Sequence, residues 1–159
     1  MKLLKIVVFS GLLCLQLKGE NIKEARLIYD GYSAQEIAMS TSEELAKKVP
    51  MRIDMLSYIM SSTHVDSTVV VNTIIEEDAL RDITYVDTKK MEKKEKNEYA
   101  KKLIINIEKL QLNALCTTPM TRAALEKGVK YNYVYRWDDF TYLGEVNINN
   151  KACINSKLY

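Results

Sequence analysis

The chain has little that breaks a backbone. Its 159 residues include 2 prolines and 5 glycines, which excludes a Pro- or Gly-rich linker, and no internal repeat is present. Histidine occurs once, as His64. A metal centre needs three or four ligands, so His64 with the nearby Asp66 falls short of one. Ser61, Ser62 and Ser67 lie close to His64, but none sits in a nucleophile-elbow context. There is no phosphate-binding glycine loop and no dinucleotide fingerprint. The carboxylate pairs Glu76-Glu77 and Asp138-Asp139 are adjacent in sequence. In strands such neighbours point to opposite faces, which argues against a shared acid–base site. No cofactor and no metal is expected.

What is present begins with a targeting pattern. Lys2 and Lys5 precede the apolar run Ile6 to Leu17, and Gly19 offers a small residue for cleavage. The run is shorter than the roughly 20 residues that span a bilayer and fits a secretory signal over residues 1–19. A retained anchor and lipidation at Cys14 are the alternatives. Removing Lys2, Lys5 and Lys18 from 23 basic residues leaves 20 against 21 acidic ones. Such a near-neutral chain has no overall electrostatic reason to seek nucleic acid. Residues 20–159 make one domain, and 47% hydrophobic residues exclude a disordered tail.

The pattern of elements is mixed. Ser33-x-x-Glu36 and Thr41-x-x-Glu44 both have capping-box spacing, and Ile37, Ala38, Thr41 and Leu45 share a helical face. Pro50 closes that region. Residues 52–63 and the β-branched run Thr68 to Ile75 read as a hairpin turning at Val65 to Ser67, its second strand central and buried on both faces. Ile83 to Val86 extends this strand or adds a short one. From Lys90 to Leu115 the period becomes helical, with Tyr99, Leu103, Ile107, Leu110 and Ala114 as a stripe. The first turns of that helix carry interleaved Lys and Glu, the mark of a solvated face.

The C-terminal unit is the best defined. Thr118 is placed to cap a helix, Pro119 to open it and Gly128 to end it. A hairpin turning at Asp138-Asp139 would set Tyr135 opposite Tyr142, Tyr133 opposite Gly144 and Tyr131 opposite Val146. One face then carries Tyr131, Tyr133, Tyr135 and Tyr142, either as a ligand platform or packed on the long helix. Trp137 and Phe140 fall at the tip, where exposed aromatics make a candidate partner contact. In an exported protein the even pair Cys116 and Cys153 reads as a disulfide, worth about 3–4 kcal/mol by the chain-entropy estimate. A reactive or metal-binding thiol is the competing reading.

Cys116-x-x-Pro119-x-x-Arg122-x-x-Leu125-x-x-Gly128, followed by Tyr131, Tyr133, Tyr135, Gly144 and Cys153, resembles the C-terminal signature of a family of small exported proteins of Gram-negative bacteria. The resemblance covers about a quarter of the chain. It implies a periplasmic location and a Cys116–Cys153 bridge, and it carries over no catalytic residue.

Together these features predict an α+β domain in the order α-β-β-α-α-β-β. A mostly antiparallel sheet of four or five strands would pack on one long helix, like cystatin or NTF2-like folds by analogy. The expected function is that of a small periplasmic, non-enzymatic protein that binds another envelope protein, as an inhibitor, immunity factor or envelope accessory. One alternative is a small-ligand carrier, with a pocket lined by Tyr99, Tyr131, Tyr133 and Tyr135 between sheet and helix. Another is a hydrolase using His64. Membrane attachment is expected only through a retained leader or a lipidated Cys14, and the pattern sets no oligomeric state.

Overall fold

The computed structural model describes residues 21–157. The leader and Cys14 lie outside them. Two helices come first, α1 (Ile22–Ile28) and α2 (Ala34–Ala46). A short strand β1 (Met51–Arg52) leads into the hairpin β2 (Ser57–Val65) and β3 (Thr68–Ile75). Then follow α3 (Glu77–Thr84), a single 3-10 turn at Thr88–Lys90, the long α4 (Lys93–Thr117) and α5 (Pro119–Glu126). The chain closes with β4 (Lys130–Trp137), β5 (Tyr142–Ile148) and α6 (Asn150–Asn155).

The fold is α+β with one five-stranded sheet in the order β1-β2-β3-β4-β5. All neighbouring pairs are antiparallel except β3 with β4, which is parallel. A parallel pair needs a long crossover, and α3, α4 and α5 supply it. The inner sheet face carries Val69, Val71, Tyr131, Tyr133, Tyr135, Val146 and Ile148, all buried. It packs into one core with Ile37 and Ala38 of α2 and Ile107 and Leu115 of α4. Much of the outer face is open, with Val70, Asn72 and Asn132 half-exposed on it, while Ile74 at its end is buried. β3 is therefore central, as its β-branched run requires, but it is fully covered on one face rather than two.

Local chemistry explains most element ends. The Ser33 hydroxyl accepts from Glu36 N–H, and Ser33 N–H donates to the Glu36 carboxylate, a complete capping box. The second box does not form, because Thr41 lies inside α2. Residues 83–86 give no strand. Glu77 and Asp78 favour the first turn of a helix, and Leu80 is buried beneath it with Ile83 half-buried. On α4 the buried stripe runs through Ala100, Ile107, Gln111 and Leu115, while Leu110 is exposed. The core position falls to Gln111 because its amide donates to the Tyr135 hydroxyl at 3.0 Å. Thr118 occupies the cap position of α5, but its side chain makes no cap bond. Gly128 takes φ +99°, the left-handed conformation glycine tolerates.

The last hairpin differs from the expected register. Tyr135 faces Gly144, Tyr133 faces Val146 and Tyr131 faces Ile148. The loop is longer than two residues, and Trp137 N–H closes it by donating to the Thr141 carbonyl. A bulge then shifts the pairing to Arg136 with Tyr142. It turns Leu143 inward and leaves Tyr142 exposed. After β5, the Asn149 side chain accepts from Ala152 N–H and starts α6. Cys153 sits on this helix and is bonded to Cys116 at the end of α4, with a Cα separation of 5.6 Å.

Candidate functional site

The hairpin tip does not offer its tryptophan. Trp137 is 2% exposed, because it lies on the inner face of β4 opposite Ile75 of β3. Lys96 of α4 sits 5.0 Å from its ring centroid and pairs with Glu77 at 2.7 Å. Thr88 donates to the same Glu77 oxygen at 2.6 Å. Glu77 is buried, so these partners offset its desolvation. The cluster ties α3, the 3-10 turn, α4 and β4 together and leaves Trp137 no face for a partner. Phe140 stays out, 65% exposed, with φ +65° in the loop.

The tyrosine face is filled. Tyr131, Tyr133 and Tyr135 are all buried in the central core, with Tyr99 packed half-buried against it. Burial pushes the Tyr131, Tyr133 and Tyr135 hydroxyls to higher pKa. The cavities described below are lined by other residues.

His64 meets a residue that local sequence does not single out. Its Nδ1 lies 3.2 Å from the Ser42 hydroxyl of α2. That hydroxyl also lies 2.8 Å from the Met39 carbonyl, and a carbonyl only accepts. The single Ser42 proton can go to that carbonyl or to Nδ1, according to the His64 tautomer. Ser42 is also buried. Among the described residues no group of three His, Cys, Asp or Glu side chains could hold a metal ion.

Open apolar surface is found between α1 and α2. A groove of about 510 Å³ is lined by Ile28, Tyr29, Tyr32, Ile37 and Met39. Tyr32 and Met39 are exposed in it, and Ile37 forms a buried floor. The groove exists because the two helices pack on different things. Ala25 of α1 is buried against Met120 and Ala123 of α5. α2 instead places Ile37 and Ala38 in the central core. The linker Tyr29 to Ser33, with Gly31 at φ +80°, spans the gap.

Glu36 and Glu44 of α2 line the same groove. They are eight positions apart, about 12 Å along a helix. The Ser33 hydroxyl and N–H hold the Glu36 carboxyl below its ordinary pKa. The Lys47 ammonium, hydrogen-bonded to Glu44, does the same there. Both are thus carboxylates at neutral pH. The arrangement is an apolar trough whose edge carboxylates are engaged, Glu36 by the Ser33 cap and Glu44 by Lys47, and it suits an apolar peptide segment. The i, i+3, i+4 spacing of α2 marked its core face through Ile37 and Ala38, not the groove beside it. Tyr32 and Met39 were not singled out there, because which apolar residues stay uncovered depends on where α1 docks. A second, shallower cavity of about 670 Å³ lies between the β1–β2 connection and α3, lined by Ile53, Met55, Ala79 and Ile83 among others. Arg52 at its edge is already paired with Glu76.

No family model and no curated protein matches the chain. Solved structures do match its fold. The pilotin EpsS of the Vibrio vulnificus type 2 secretion system aligns with a TM-score of 0.57 at 13% identity, covering 76% of this chain and 91% of that one. A protein described as secreted from Pseudomonas aeruginosa aligns with a TM-score of 0.57 at 9% identity, covering 76% and 92%. The pilotin AspS of the Vibrio cholerae type II secretion system aligns with a TM-score of 0.55 at 14% identity, covering 83% and 98%. At these identities the likeness is one of fold.

Proposed function

We propose that this chain is a non-enzymatic accessory protein of the bacterial envelope that binds a segment of a partner protein in the groove between α1 and α2. The observation that carries this reading is the apolar trough with Tyr32 and Met39 open to solvent and ionised Glu36 and Glu44 at its edge. The fold shared with two pilotins and a secreted protein supports the envelope setting. So does the expected leader, whether it is cleaved to free the protein in the periplasm or Cys14 holds it to a membrane. The partner segment is apolar.

A photo-crosslinking residue placed at Met39 in cells tests this. The expected result is a discrete protein adduct that is absent when the crosslinker stands at Ile105, an exposed position on α4. Tyr32→Ala should abolish the adduct while leaving the melting temperature nearly unchanged, since Tyr32 is exposed. Equal adducts from both positions, or an adduct indifferent to Tyr32→Ala, overturn the reading.

A further inference from the structure

β2 is paired along its length with β3, but on its other side β1 meets only Tyr58 and Ile59. A bulge at Met60 follows, and Ser61 to Val65 then run as an open edge. Among the described residues no element other than β3 is shown bonded to the backbone of this stretch. The turn sets its orientation. With Asp66 and Ser67 as a two-residue loop, Val65 and Thr68 are the closing pair and are hydrogen-bonded to one another. Alternation then directs the N–H and C=O groups of Thr63 towards β3 and those of Ser62 and His64 outward.

Soluble proteins guard such edges with charge, proline or cover. Beyond its bulge this edge has none of these, since Leu56 to Val65 contains no charged residue and no proline. The opposite edge, β5, carries Glu145 at its middle. Ser61 and Thr63 point to the exposed outer face, and Val65 is 61% exposed.

We infer that Ser61–Val65 is a self-pairing edge, to which a second copy of the chain adds antiparallel about a two-fold axis at Thr63. The register is fixed by which groups point outward. Ser62 of one copy exchanges hydrogen bonds with His64 of the second copy, and the reverse, for about four bonds in all. Thr63 then faces Thr63 of the second copy, a favourable cross-strand pair. No like charges meet at the axis. The same operation centred on β5 would set Glu145 against itself, which is destabilising. Five paired residues make a ribbon only about 17 Å long, which buries far less than the roughly 1,600 Å² of a standard interface. The dimer is therefore weak and concentration-dependent. This inference stands apart from the α1–α2 groove.

Two measurements on the full chain test it. Sedimentation equilibrium should show reversible dimerisation that rises with concentration up to about 0.5 mM. Thr63→Lys places two ammonium groups on the axis and should weaken association at least tenfold, with the melting temperature as a check that the exposed substitution is tolerated. Thr63→Cys should form a dimer linked through position 63 on mild oxidation, because a non-hydrogen-bonded pair brings the Cα atoms to about 4.5 Å, within disulfide reach. Glu145→Cys on the other edge should not. A chain that stays monomeric over this range overturns the inference. So does equal crosslinking of the two cysteine variants, or an adduct at position 63 to a different protein.

Discussion

From α4 to α6 the protein turns its large side chains inward. Tyr131, Tyr133, Tyr135, Trp137, Val146 and Ile148 are buried, and a disulfide ties the last helix to α4. The exposed apolar residues there are Ile105 and Leu110 on α4, Phe140 and Tyr142 at the hairpin tip, and Ile154 on α6, and none of them lines a groove described above. From α1 to β2 the pattern reverses. Leu27, Tyr32 and Met39 are exposed on or beside one groove, and Met60 and Val65 on one open strand edge. The difference arises from cover. The C-terminal strands lie under α4, whereas α1 is a seven-residue helix and β1 a strand of two residues. Residues that look reactive or sticky in sequence serve packing in the covered half, and the surface left over for partners lies in the other.

The largest test of that contrast is at the hairpin tip. Trp137→Ala removes a ring buried against Ile75 and Lys96 and should cost about 3–5 kcal/mol in urea unfolding. Phe140→Ala, three residues on and 65% exposed, should stay within about 0.5 kcal/mol. Equal effects would mean that the tip is not divided between core and solvent.

A second test concerns how tightly the covered half is closed. A Cβ added at Gly144 would lie 2.5 Å from Ile104 Cγ1 and 3.0 Å from its Cδ1. Gly144→Ala should therefore destabilise by about 1–3 kcal/mol. Ile104→Ala in the same chain should recover part of that loss, seen as a favourable interaction energy in a double-mutant cycle. Additive losses would show that the Ile104 side chain is not what resists the added methyl.

Much of this architecture was legible in the sequence because it rests on local rules. The Ser33 capping box, the Pro119-to-Gly128 helix, the β2–β3 hairpin and the long helix all follow from short-range spacing. What was not legible depended on partners far along the chain. The inner face of β4 was read correctly by alternation, but its register against β5 depended on a loop and a bulge that move Gly144 opposite Tyr135. Trp137 looked exposed because it adjoins a turn. It is buried because Lys96, 41 positions earlier, covers its ring. The pairing of Ser42 with His64, 22 positions apart, left no local trace. Nor did the groove, since it is the gap between two helices that dock on different neighbours.

The smallest predicted effect lies where the two halves meet. Arg26 of α1 makes two hydrogen bonds to Glu126 of α5, at 2.7 and 2.9 Å. Arg122 adds a third at 3.2 Å. The Arg26 bond holds the Glu126 carboxyl below its ordinary pKa. A depressed folded pKa contributes stability above the unfolded value, about 4.3, and loses it as pH falls through the folded one. Glu126→Gln should therefore lower the melting temperature slightly at pH 7, by about 2 °C for a surface pair. The difference from wild type should shrink below about pH 4, as the wild-type carboxylate takes up its proton. If the difference persists unchanged to pH 2, α1 is held by Ala25, Met120 and Ala123 alone, and one wall of the groove then rests on apolar packing without help from the ion pair.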